Sequence, residues 1–152
     1  MNSSLAVIFF DGASKGNPGV SGAGGLVLSR DRLTKFSFCW GLGSLSNNQA
    51  ESYSLLMAIH IAKENGYKTI QIFGDSELLI KVLNNGGHFN NYALNILLQR
   101  IQARLKEFDM VESFHILWEL NSSTNSLANN VNLLPQGFLI INGAASYFHS
   151  IP

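Results

Sequence analysis

The chain alternates between short apolar runs of strand length and longer segments whose apolar positions recur at helical spacing. Leu5 to Phe10 (LAVIFF) is an unbroken apolar run, the pattern of a central strand covered on both faces. Gly12 to Gly25 is rich in Gly and Ser and holds Pro18, a composition that predicts mostly turn. Gly25 to Ser29 and Leu33 to Trp40 read as two further strands joined by a tight connection at Ser29 to Arg32, hence a hairpin. In the second of them Phe36, Phe38 and Trp40 alternate with Lys35, Ser37 and Cys39, so one face is better buried. From Asn47 to Asn65 the period changes. Leu55, Leu56, Ile59 and Ala62 predict a helix, and Gly66 is a suitable stop.

Thr69 to Phe73 is again a short buried strand, followed by Gly74 and Asp75. Ser76 to Leu83 reads as a helix through Leu79, Val82 and Leu83, and Asn84 to Asn91 (NNGGHFNN) as a loop. Ala93 to Phe108 carries Leu94, Leu97, Leu98, Ile101 and Leu105 at helical spacing. Val111 to Trp118 predicts a fifth strand, and Thr124 to Leu134 a last helix stopped by Pro135. The early hairpins imply antiparallel pairing, and the later strand–helix–strand crossovers imply parallel pairing. The expected fold class is therefore α/β: a mixed five-stranded sheet with helices packed on it. Residues 1–134 form one expected domain. Residues 135–152 are an apolar, irregular tail to which the pattern assigns no element; it either docks on the domain or is the remnant of a longer chain.

A length of 152 residues and 46% hydrophobic content suit one domain with a real core. Ten basic residues balance ten acidic ones. That argues against a tight non-specific nucleic-acid binder but leaves room for an enzyme that handles nucleic acid locally. The single cysteine, Cys39, cannot form an internal disulfide, which suits a reducing, intracellular compartment. No apolar run reaches the ~20 residues of a membrane span, so no membrane partner is expected. The N-terminus has no basic segment of the kind that precedes a secretion signal.

Candidate chemistry lies in three carboxylates. Asp11 and Asp75 each follow a short apolar strand. If those strands are parallel neighbours, both emerge at one sheet edge. Glu51 is expected in the first turn of the helix that follows Ser46 to Ala50 (SNNQA). Taken singly, an aspartate at a strand end is a turn former, and a glutamate at a helix N-terminus compensates the helix dipole. Taken together they differ, because like charges held close repel and are stable chiefly around a cation. Hard oxygen donors select Mg²⁺ or Mn²⁺, and such ions can activate a water and stabilise the leaving oxygen of a phosphodiester. Lys15 does not belong to a phosphate-binding loop, because the spacing is wrong, and His60 and His88 show no ligand spacing.

Four stretches, DGASKGNPG…GAGG from Asp11, NNQAE from Asn47, GDSELLIKVL from Gly74 and HILWELNSSTNSLAN from His115, occur in the order of the motifs of the ribonuclease H family. They are most similar to the reverse-transcriptase-like ribonuclease H domains common in plants. The resemblance spans Leu5 to about Leu134. It implies endonucleolytic hydrolysis of the RNA strand of an RNA–DNA hybrid with Mg²⁺ or Mn²⁺. By motif match, Asp11, Glu51 and Asp75 would be the catalytic, metal-binding carboxylates. Asn17 would contact the hybrid's backbone, and Asn47 and Asn48 its minor groove. Amides suit that task, since they donate and accept and can read 2′-hydroxyls without base specificity. A monomer is expected.

One position departs from the family pattern. Asn125 stands where the family has a fourth carboxylate, and Thr124 replaces the small residue before it. The amide keeps the shape and one oxygen but loses the charge, so a second divalent ion would bind less tightly. His115 and Glu119 precede this position. His115 is expected to serve the strand, and Glu119, nearer the loop, to be the better candidate for assisting product release. Two alternatives compete with an active hybrid nuclease: a weakened or inactive ribonuclease-H-like module for binding or assembly, and a nuclease of the same fold acting on another nucleic acid. Asn125 and the neutral charge favour the module; the retained trio and the asparagines favour the enzyme.

Overall fold

The computed structural model describes residues 4–16, 18–117 and 134–148. The expected last helix, together with Asn17, Glu119 and Asn125, lies outside the described residues. The strands are β1 (Leu5–Gly16), β2 (Gly19–Ser29), β3 (Lys35–Leu45), β4 (Thr69–Gly74), β5 (Met110–His115), β6 (Phe138–Ile141) and β7 (Ala144–Tyr147). The helices are α1 (Asn47–Glu64), α2 (Glu77–Asn85) and α3 (Tyr92–Leu105). One sheet runs in the order β5-β4-β1-β2-β3-β6-β7. Its β5-β4-β1 part is parallel and the remainder antiparallel. The mixed sheet is as expected, with seven strands among the described residues in place of five. The two additional strands come from the tail: β6 pairs with β3 and β7 with β6, so residues 138–147 extend the sheet beyond the expected edge.

α1 supplies the centre of the core. Leu55, Leu56, Met57, Ala58, Ile59 and Ala62 are buried against Ala6, Ile8 and Phe10 of β1 and Ile70 and Ile72 of β4. Its start is fixed by a capping box: Ser46 Oγ accepts from Gln49 N–H at 3.2 Å, and Gln49 Oε1 accepts from Ser46 N–H at 3.0 Å. On the alternate positions of β1, β4 and β5, Phe9, Phe73 and Phe114 stand in register and stack at 5.3 and 5.1 Å between centroids. No described helix is long and apolar enough to cross a membrane.

The stretch Gly12 to Gly25 is not mostly turn. β1 continues to Gly16 and pairs with β2 from Ala6 to Gly16, Asp11 opposite Gly24 and Gly12 opposite Ala23. The glycines serve close approach instead of chain reversal. A Cβ on Gly25 would lie 2.3 Å from the Phe38 ring, and one on Gly12 would lie 2.2 Å from the backbone of Ala50 in α1. The absence of side chains hides the period-two signal while allowing a ring and a helix to settle directly on the sheet.

The tail is joined by polar as well as apolar contacts. Trp40 Nε1 donates to the Phe148 carbonyl at 2.8 Å, and the rings of Trp40 and Phe148 meet edge to face. Leu139 is buried beside Trp40.

Candidate metal centre

Each carboxylate is placed by a different backbone device. Phe10 and Gly74 are the last parallel pair between β1 and β4; Asp11 comes next within β1, and Asp75 directly follows the end of β4. Asp11 is therefore not at a strand end. β4 stops while β1 runs on with β2, and the missing neighbour opens a hollow beside it. Gly74 is required there, because a Cβ would lie 2.4 Å from the Phe10 ring. Glu51 comes from α1, brought close by the contact of Gly12 with Ala50 and Glu51 backbone. Glu51 is the fifth residue of α1, and the first turn holds no acidic residue. The expected first-turn position is thus corrected. The capping box starts the helix at Asn47, so Asn47 and Asn48 occupy the first turn, where both are exposed. Dipole compensation consequently does not account for Glu51.

One oxygen from each of Asp11, Glu51 and Asp75 lies within 4.8 Å of the others. They border a hollow of about 430 Å³ shared with Ser14, Asn47, His115 and Leu117. The electrostatics of the trio are unfavourable without a counter-charge. Burial, then the neighbouring Asp75 and Glu51, push the Asp11 carboxyl up to about 8. Burial likewise raises Glu51 to about 7, opposed by a hydrogen bond from Ser76 and reinforced by Asp75. Three hard oxygen donors that repel one another around an open hollow fit a divalent cation, which would supply the missing charge and the missing coordination.

The structure brings Asp11, Glu51, Asp75 and Asn47 to one hollow; Asn48 stands next to it on the exposed turn of α1. His115, expected to serve its strand, is the last residue of β5, exposed at the rim, with Nε2 3.3 Å from the Asp75 carbonyl oxygen. Its place follows from the register of β5, in which Gly74 lies opposite His115, a relation no sequence period reveals.

Residues 9–131 match the model of the family described as reverse transcriptase-like. Over 121 residues the chain is 33% identical to ribonuclease HI of Halobacterium salinarum, covering 80% of this chain and 61% of that relative. The crystal structure of ribonuclease H1 from the same archaeon aligns with a TM-score of 0.77 at 31% identity, over 84% of this chain and 96% of that one. The N-terminal ribonuclease H domain of a Mycobacterium tuberculosis protein aligns with a TM-score of 0.80 at 26% identity, over 84% and 93%. The match ends at residue 131, before β6, so the β6–β7 hairpin lies outside the matched residues. With the strand order, the trio and the match over most of its length in agreement, the chain belongs to the reverse-transcriptase-like ribonuclease H family.

Proposed function

We propose that this protein is an endoribonuclease that hydrolyses the RNA strand of RNA–DNA hybrids with Mg²⁺ or Mn²⁺. The observation that carries this reading is the convergence of Asp11, Glu51 and Asp75, from two parallel strands and a helix, onto one hollow. When bound, the metal supplies Lewis acidity for the attacking water and for the leaving oxygen of the phosphodiester. The protein's own residues do the rest. Asp11 within β1 and Asp75 at the end of β4 present oxygens from adjacent rigid strands, which hold the donors at fixed separation. Glu51 closes the donor set from α1. Asn47 and Asn48, exposed on the first turn of α1, offer amide groups to the sugar–phosphate of a bound hybrid, and Asn17 is assigned to the same task by motif. Contacts of this kind ignore base identity, so cutting should be sequence-tolerant and require ribonucleotides. By the same match Asn125 completes the catalytic set as a neutral fourth member.

The test is cleavage of a labelled RNA–DNA hybrid with Mg²⁺ or Mn²⁺, beside an all-DNA duplex of the same sequence. Cleavage of the hybrid alone supports the proposal. Equal cutting of both duplexes points to a nuclease of this fold with another substrate. The neutral net charge and Asn125 favour a second reading, a weakened or inactive module for nucleic-acid binding or assembly, for which the hybrid is bound but never cut.

A further inference from the structure

We infer that Ser14 and Ser21 are positioning residues for the first turn of α1, a pair of hydroxyls that grips the backbone of Leu45 and so sets where Asn47 and Asn48 stand beside the hollow. This rests on the reading of that turn as the part that meets the hybrid. Ser14 and Ser21 are partners in the β1–β2 ladder. Both hydroxyls turn to the end of β3. Ser14 Oγ donates to the Leu45 carbonyl at 2.9 Å. Ser21 Oγ lies 3.0 Å from the same carbonyl and accepts the Leu45 N–H at 3.2 Å. Leu45 is the last residue of β3, and the next residue, Ser46, is the N-cap of α1. The clasp therefore closes on the peptide that leads into the helix.

Each hydroxyl has one proton. Ser21 Oγ also lies 2.6 Å from the Gly19 carbonyl, and Ser14 Oγ 2.5 Å from that of Gly16. With Ser21 donating to Gly19 and accepting from the Leu45 N–H, the Leu45 carbonyl falls to Ser14. Gly16 is exposed, so water can serve its carbonyl, whereas the contact with Leu45 is partly buried and an unmet carbonyl there is costly. The ladder by itself holds this end of β3 poorly. Ser21 pairs with Gly43 and Gly22 with Gly41, which skips Leu42 and interrupts the β2–β3 register just before Leu45. Ser21 is 1% exposed, so its hydroxyl has no solvent to turn to. Ser14 and Asn47 both border the hollow. The hydroxyls thus tie the hairpin wall to the asparagine turn. Glu51, four residues after Asn47, is placed separately by the close approach of Gly12 to α1. The clasp governs the seat of the hybrid, and Gly12 that of the metal ligand.

The full chain is tested as Ser14→Val and Ser14→Thr, which match in shape and differ by one hydroxyl. Each is also combined with Asn47→Ala and Asn48→Ala. Binding of a labelled RNA–DNA hybrid is read by fluorescence anisotropy in chelator, and Mn²⁺ binding by calorimetry. Ser14→Val should weaken hybrid binding by roughly tenfold and leave Mn²⁺ binding within about twofold. Ser14→Thr should restore the hybrid. In the background without the two asparagines, Ser14→Val should have no further effect, because Ser14 acts through them. The full loss in that background would make Ser14 a direct contact and overturn the inference. So would unchanged hybrid binding in Ser14→Val, no recovery in Ser14→Thr, or an equal loss of Mn²⁺ binding, which would make the clasp a support of the whole fold. If Ser14→Val does not fold, Ser14→Ala, with less bulk, takes its place. If the unaltered protein binds no hybrid, the proposed function fails. The ¹³C signal of the Leu45 carbonyl in the metal-free protein then decides the clasp: it should move in Ser14→Val and return in Ser14→Thr, and an unmoved signal rejects it.

Discussion

Asp11 and Asp75 lie one residue beyond the same rung of the sheet, the Phe10–Gly74 pair that ends the parallel ladder between β1 and β4. Their separation is thus set by the spacing of adjacent strands, not by a loop. Two like charges so placed are costly when the hollow holds no cation, and this cost gives the metal centre a signature in stability as well as in catalysis.

The metal-free protein should lose stability as pH rises. Unfolded, the two carboxyls titrate near their ordinary 3.8 and 4.5; folded, Asp11 is pushed up to about 8 and Glu51 to about 7. The folded state therefore holds more protons between about pH 4 and pH 8, and stability falls across that window as they leave. Thermal unfolding in chelator should show a higher Tm at pH 5 than at pH 8. Mn²⁺ should raise Tm more at pH 8 than at pH 5, since protons compete for the same oxygens. Asp11→Asn should flatten the pH dependence. It should also stabilise the metal-free protein at pH 8 by at least about 1.4 kcal/mol, the equivalent of one pKa unit, while abolishing cleavage. A Tm independent of pH in the unaltered protein would contradict this account.

Gly12→Ala tests how α1 is brought to the site. The added methyl would lie 2.2 Å from the Ala50 carbonyl carbon and 2.3 Å from the Glu51 nitrogen, so α1 must move outward. Stability should fall by roughly 1–3 kcal/mol, the usual cost of overpacking. Divalent-metal affinity should fall with it, because Glu51 moves with the helix. Denaturant unfolding and a Mn²⁺ titration measure the two effects; a stable variant with unaltered Mn²⁺ binding would exclude the close contact as the device that sets the site.

Asn125→Asp should raise the rate of hybrid cleavage by at least about tenfold, equivalent to ~1.4 kcal/mol in the barrier. Position 125 enters through the motif match, and the amide withholds one negative charge from a site expected to hold roughly two divalent cations. Single-turnover cleavage by both forms across Mg²⁺ and Mn²⁺ titrations is the measurement. Equal rates would show that this charge is not limiting, and cleavage by neither form would favour the binding-module reading.

Truncation after Leu134 should destabilise the domain by roughly 3 kcal/mol or more, through exposure of Trp40 and loss of buried Leu139. It would also leave β3 as an open edge beside Phe38 and Trp40, so self-association should increase. Light scattering and thermal unfolding of the truncated chain check both. An unchanged Tm would mean that the β6–β7 hairpin is dispensable for the fold.

Local patterning was enough for the elements whose side chains carry the period: the apolar run of β1, the helical stripe of α1, the short β4 and the helices α2 and α3. Residue chemistry and motif order were enough to single out Asp11, Glu51 and Asp75. The glycine-rich half of the β1–β2 hairpin was not legible, since residues without side chains show neither period. Nor was β6–β7, whose pairing with β3 joins residues about a hundred positions apart in sequence. Tertiary structure alone decided that β1 runs past Asp11 while β4 stops, that Gly12 admits α1, and that His115 borders the hollow. Those facts depend on register and on close approach between distant segments, whereas a sequence records directly only what each residue prefers among its neighbours along the chain.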